Sequence, residues 1–141
     1  MDRKATAVWE GGLKDGKGTI STESKALSSL PYSFSTRFED AAGTNPEELL
    51  AAAHASCFSM ALAAQLGEAG IKPERIETKS TITLEKIASG FTVTRSHLDV
   101  AVKAPGADRA KVEGAAENAK TGCPLSKVLK ADISMNARLE T

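Results

Sequence analysis

The chain has 141 residues, room for one domain spanning 1–141 and little more. Its 18 basic and 18 acidic side chains cancel to a formal net charge of zero and form no runs, which argues against a nucleic-acid surface or a solvating acidic tail. Aromatic residues are only 4%, too few for a base-stacking platform. The charged start MDRKATAVWE lacks the apolar stretch of a secretory signal, so a cytoplasmic protein with reduced thiols is expected.

Residues 4–10 alternate weakly and residues 18–24 are rich in β-formers. The Asp15-Gly16 pair between them predicts a hairpin turn. Residues 32–38 (YSFSTRF) alternate Tyr32, Phe34, Thr36 and Phe38 against Ser33, Ser35 and Arg37. That period predicts a third strand, with Arg37 on the face opposite the aromatics. Next comes a helix start, with Asn45 as N-cap, Pro46 at the first position, and Glu47 and Glu48 in the first turn. Gly67 and Gly70 are candidate stops.

The run from Leu49 to Leu66 holds no charged residue. At 18 residues it reaches the lower bound for a membrane span, but it is Ala-rich and contains His54, Ser56, Ser59 and Gln65. A helix that is apolar all round is expected to be buried, here as a central helix covered in part by a second subunit. Residues 75–87 and 91–102 predict two long strands joined across Ala88-Ser89-Gly90. Pro105-Gly106 breaks the chain, and a helix is expected at 108–120 from Asp108. Gly122-Cys123-Pro124 interrupts it, a short helix follows at 124–130, and Ile133, Met135, Ala137 and Leu139 mark a last strand. The order βββ-α-ββ-αα-β predicts an α+β fold with antiparallel sheets.

The two cysteines, Cys57 and Cys123, are too far apart in sequence for a CxxC dithiol or a zinc ribbon. Cys57 reads either as a small core hydrophobe or as a nucleophile next to His54, one helical turn earlier. Cys123, just before Pro124, falls at a helix start, where free amides and the dipole favour thiolate. Local physics alone thus makes Cys123 the more activated thiol. Arg37 is either a solvated strand residue or a guanidinium directed at a thiolate and an oxygen-rich substrate. Glu47 either complements the helix start or orients an arginine. Cys57, His54, Cys123 and His97 lack the tight spacing of a zinc site, so no metal is expected.

NPEELLAAAHASCFSMAL, followed by GCPLSKVLKA, resembles the OsmC/Ohr family of thiol-dependent hydroperoxide reductases. AVWEGGLKDGKGTISTES and YSFSTRFE extend the resemblance across the chain and favour the osmotically inducible protein C branch. The resemblance implies a peroxidatic Cys57, a resolving Cys123, an Arg37 that stabilises thiolate and polarises peroxide, and a Glu47 that holds the arginine. It implies an intramolecular Cys57–Cys123 disulfide, organic hydroperoxides ahead of hydrogen peroxide, and a role in oxidative or osmotic stress defence. It also implies an intertwined α+β homodimer with central helices flanked by sheets. No bound cofactor is implied; an external dithiol, typically a dihydrolipoyl group on a lipoylated partner protein, reduces the disulfide.

Glu47 and Cys57 are ten residues apart on one predicted helix, about 15 Å along its axis. An unbroken helix therefore assigns Glu47 to the site of the other subunit. Phe34, Phe38, Phe58, Met60 and Leu62 are available to line an apolar pocket. The rival readings are a non-enzymatic dimer that binds an apolar ligand and a Cys-His acyl hydrolase using Cys57 and His54.

Overall fold

The computed structural model describes residues 1–140 and divides into two compact units, Met1–Leu49 and the chain from Leu50 onward. In the first unit, β1 (Ala5–Glu10), β2 (Lys17–Thr22) and β3 (Leu30–Tyr32) form an antiparallel sheet in the order β1-β2-β3. The hairpin forms as expected, but not as a two-residue Asp15-Gly16 turn: a six-residue loop, 11–16, joins Glu10 to its partner Lys17, with Gly16 N–H donating to Gly12 C=O at 2.8 Å and the positive φ, +92, at Gly11. Gly18 of β2 pairs with both Trp9 and Tyr32, whose rings lie 5.4 Å apart, centre to centre. A Cβ on Gly18 would stand 2.5 Å from Tyr32 and 2.7 Å from Trp9, so the ring pair needs glycine between its members.

The third strand is shorter than the sequence suggests. It ends at Tyr32, and Phe34–Phe38 forms a short helix, α1. The cause is a capping box. The Ser33 hydroxyl accepts from the Thr36 amide and the Thr36 hydroxyl accepts from the Ser33 amide. A spacing of four fits one face of a helix as well as one face of a strand, so Phe34 and Phe38 alone do not discriminate. Here they meet with ring centres 5.0 Å apart.

The long helix α2 (Pro46–Glu68) is unbroken. Asn45 caps it, its Oδ1 accepting from the Glu48 amide at 2.8 Å. It ends in a Schellman motif at Gly70, φ +76: Ile71 N–H donates to Leu66 C=O and Gly70 N–H to Gly67 C=O. Gly70 is therefore the stop, whereas Gly67 lies inside the helix. The helix has the length and composition of a membrane span, but His54, Phe58, Leu62 and Leu66 form a stripe buried in the protein core. The expectation of full burial fails for the single chain: Ala52, Ser56, Met60 and Ala63, on the opposite side, are exposed.

In the second unit, β4 (Arg75–Ile87) and β5 (Gly90–Lys103) pair as a long antiparallel hairpin. Then come α3 (Arg109–Gly122), capped by Asp108, and α4 (Pro124–Val128). The last strand, β6 (Asp132–Glu140), runs parallel to β5. This sheet is mixed, not antiparallel as expected, because the two-helix crossover returns the chain in the direction of β5. The core lies between α2, α3 and the inner face of this sheet, with Leu98, Val100, Val102, Val112, Ala116 and Cys123 buried. Ile133, Met135, Ala137 and Leu139 pack against it, in the alternation their spacing predicts.

The two glycines near the end of α2 should respond oppositely to alanine. Gly70→Ala places a side chain at positive φ and should cost about 1–2 kcal/mol. Gly67→Ala, in open space inside the helix, should stabilise by about 0.5–1 kcal/mol. Urea midpoints of the two variants check both signs.

Candidate active site

Each of the four candidate residues has a close partner among the other three, in two separate pairs. In the first unit, Arg37 of α1 meets Glu47 of α2. Arg37 Nη2 donates to Glu47 Oε1 at 2.7 Å, and Nε lies 3.2 Å from both carboxylate oxygens. This two-toothed grip uses the Nε–Nη2 edge and raises the already basic arginine further. Glu47 thus pairs with an arginine as well as standing in the first turn of α2. The guanidinium also lies 5.1 Å from the centre of the Phe38 ring, so Arg37 sits against an aromatic and not on the opposite face. Beside it is a cavity of ≈ 230 Å³ lined by Trp9, Leu13, Tyr32, Phe34 and Phe38 as well as Arg37. Sequence reasoning named the two phenylalanines; Trp9 and Leu13 come from the first hairpin and Tyr32 from β3, and they carry no local signal. Phe58 and Leu62 are core residues, and Met60 points away from the core.

In the second unit the two sulfurs are 3.1 Å apart, both as free thiols. A disulfide needs about 2.05 Å, so they must close by about 1 Å. Cys57 is half-buried and Cys123 is fully buried. Cys123 is the N-cap of α4, as the sequence suggests, but its side chain makes no capping hydrogen bond. The helix-start amide that matters acts on the other cysteine: Leu125 N–H, in the first turn of α4, favours the Cys57 thiolate. Burial and contact with the Cys123 thiol push the Cys57 thiol up, and the Leu125 amide pulls it partly back. Sequence reasoning missed Leu125 because the group that matters is its backbone. Pro124 was the available clue, since a helix start leaves its first amides free.

His54 does not act on Cys57. It is completely buried, with Nδ1 2.6 Å from Ser96 Oγ and Nε2 2.9 Å from Ser126 Oγ. Both ring nitrogens are occupied by serines, which removes the base that a Cys-His hydrolase would need. His97 bonds Ser134 and faces Asp99, on the strand pair β5–β6. Among the described residues, no three His, Cys, Asp or Glu side chains cluster as metal ligands.

The family model described as OsmC-like protein matches residues 39–138. The chain is 50% identical to peroxiredoxin OsmC of Escherichia coli over all of this chain and 99% of that protein. It belongs to the OsmC family. A second relative, the organic hydroperoxide resistance protein of Xanthomonas axonopodis pv. citri, is 30% identical over 69% of this chain and 67% of its own. The crystal structure of the organic hydroperoxide resistance protein OhrB of Bacillus subtilis superposes with a TM-score of 0.68 at 26% identity, covering 97% of this chain and 98% of that one. The mixed helix-and-sheet architecture is thus an OsmC fold.

Burial holds the His54 imidazole below the ordinary histidine range. The unfolded chain therefore takes up this proton at about pH 6.5, while the folded chain does so only at lower pH. The stability contribution is complete above about pH 6.5 and falls as pH drops through the interval down to the folded value. Urea midpoints between about pH 7.5 and 5.5 should decline in the wild type and flatten in His54→Gln.

Proposed function

We propose that this chain is a cysteine-based peroxidase that reduces organic hydroperoxides, with Cys57 as the attacking thiol and Cys123 as the resolving one. The observation that carries this reading is the 3.1 Å contact between two free thiols of unequal exposure. A peroxide reaches the half-buried sulfur, not the buried one. The peroxidase class is further supported by full-length similarity to a peroxiredoxin, and the organic substrate by relatives named for organic hydroperoxide resistance.

The Cys57 thiolate attacks one peroxide oxygen and the O–O bond breaks. Sulfur is oxidised by two electrons to sulfenic acid, and the other oxygen leaves as alkoxide, taking a proton to become the alcohol. The Cys123 thiol then attacks the Cys57 sulfur, and the hydroxyl departs as water. An external dithiol, for which a dihydrolipoyl group on a lipoylated protein is the candidate, takes the disulfide back to two thiols. No bound cofactor enters the scheme.

Cys57 needs help to ionise, because burial and its neighbouring thiol hold it up. Arg37 is the proposed cation, pre-set by Glu47 at the rim of an aromatic hollow suited to the apolar part of a peroxide. Burying such a group is worth roughly 25 cal/mol per Å², a gain that hydrogen peroxide does not offer.

Helix continuity bears on how the pairs meet. Glu47 and Cys57 are about 15 Å apart along α2, which does not break. The proposal is therefore a homodimer in which Arg37 and Glu47 of one chain serve the partner subunit's Cys57. The exposed face of α2, with Ala52, Met60 and Ala63, is the apolar surface that a second copy would cover. A cytoplasmic setting, where thiols stay reduced, suits this chemistry.

Free thiols counted by mass spectrometry after one equivalent of cumene hydroperoxide test the reading. The expected result is loss of two thiols as a Cys57–Cys123 disulfide, faster than with hydrogen peroxide. Cys57→Ser should leave Cys123 unreacted, and Cys123→Ser should stop at a sulfenic acid that dimedone traps. Two thiols still free after prolonged exposure would remove the peroxidase and favour an apolar-ligand binder. Subunit mixing tests the shared site. Arg37→Ala and Cys57→Ser chains, each inactive alone, should together recover about a quarter of wild-type activity, since half the dimers are mixed and each holds one intact site. No recovery on mixing would place the whole site within one chain.

A further inference from the structure

A buried chain of side chains runs behind the thiol pair and takes no part in the steps above. Ser126 Oγ lies 2.9 Å from His54 Nε2, His54 Nδ1 lies 2.6 Å from Ser96 Oγ, and Ser96 Oγ lies 3.1 Å from Ser80 Oγ. His54 and Ser96 have no exposure at all, and Ser126 is buried. A neutral imidazole has one donor and one acceptor nitrogen, so one of its serine partners accepts and the other donates. The ring thereby links α2, β5 and α4 in one satisfied network.

Its position relative to the cysteines gives the chain a purpose. α4 has only five residues, too few to hold its own place without tertiary anchors. Four consecutive residues at its start carry Cys123, whose sulfur meets Cys57, the free amide of Leu125, and Ser126, which bonds His54. On α2, His54 and Cys57 are one turn apart. Two adjacent turns of the long helix thus each hold the start of the short one, through an imidazole and through a sulfur.

We propose that His54 is a positioning residue for the thiol pair: by bonding Ser126 and Ser96 together, it fixes the start of α4 so that Cys123 bears on Cys57. This rests on the proposed roles of the two thiols, but the geometry applies to any closure of the pair. Closure needs the sulfurs to approach by about 1 Å, and misplacement on that scale can slow a reaction by orders of magnitude. His54 touches neither peroxide nor sulfur in this scheme; it acts through α4.

The test compares Ser126→Ala with Ser80→Ala. Both delete one hydroxyl of the same chain, but only the first frees α4. Closure is driven with diamide, which accepts two electrons and two protons from the thiols and becomes the hydrazine, so no peroxidase activity is required. Ser126→Ala should slow Cys57–Cys123 closure about tenfold or more. It should also move the pH profile of Cys57 alkylation by iodoacetamide upward, as the Leu125 amide is lost. Ser126→Thr, which keeps the hydroxyl, should restore both, and Ser80→Ala should change neither. Equal behaviour of the two alanine variants in both assays would reduce the network to packing and overturn the proposal.

The wild type provides a check independent of folding in the variants. The ring-nitrogen NMR signals of His54 should shift between dithiol and disulfide forms, because Ser126 moves with Cys123. Unchanged signals would also sink the positioning role. If diamide closes the pair as described while cumene hydroperoxide leaves both thiols free, the peroxidase reading fails and the positioning of the pair stands.

Discussion

The stripe His54, Phe58, Leu62 and Leu66 on α2 organises the second unit. It buries one side of a helix that carries no charge from Leu49 to Leu66 and ties it to the core built with β5 and α3. Three of its members supply apolar burial. The fourth is a polar ring that must be fully hydrogen-bonded to be there at all. That requirement brings Ser96 and Ser126 to it, and with Ser126 comes the start of α4. Cys57 stands beside this stripe, so the same packing that stabilises the unit sets the distance between the sulfurs.

The electrostatics of the two pairs complement one another. Cys57 lies where burial disfavours its thiolate, relieved only in part by one amide. Arg37 is a cation made still more basic by a carboxylate that grips a single edge. In the proposed dimer each pair would supply what the other lacks: a positive charge for the thiol, and for the arginine, pre-oriented by Glu47, a partner that costs it little freedom. The exposed Ala-rich side of α2 gives the proposed dimer a reason to form, since a surface of that kind is poorly suited to water.

Much of this was legible in the residues. Asn45-Pro46, Asp108 and Gly70 mark starts and a stop whose chemistry is local, and the structure uses each as its residue type suggests. Phe34 and Phe38 were the ambiguous case. Their spacing of four served both periods, and the Ser33–Thr36 capping box decided for helix. The parallel pairing of β6 and the exposed side of α2 were not legible, because both depend on where distant elements end up.

The sequence by itself determined that this is an OsmC-type α+β protein with two thiols, an arginine and a glutamate in reserve. Local propensities and the patterning around those residues are properties of neighbouring positions. Only the tertiary structure decided what each group faces. It set the sulfurs 3.1 Å apart and turned His54 away from its sequence neighbour towards Ser96 and Ser126. A hydrogen bond depends on direction and on a partner's burial, and both are fixed by packing between segments far apart in the chain.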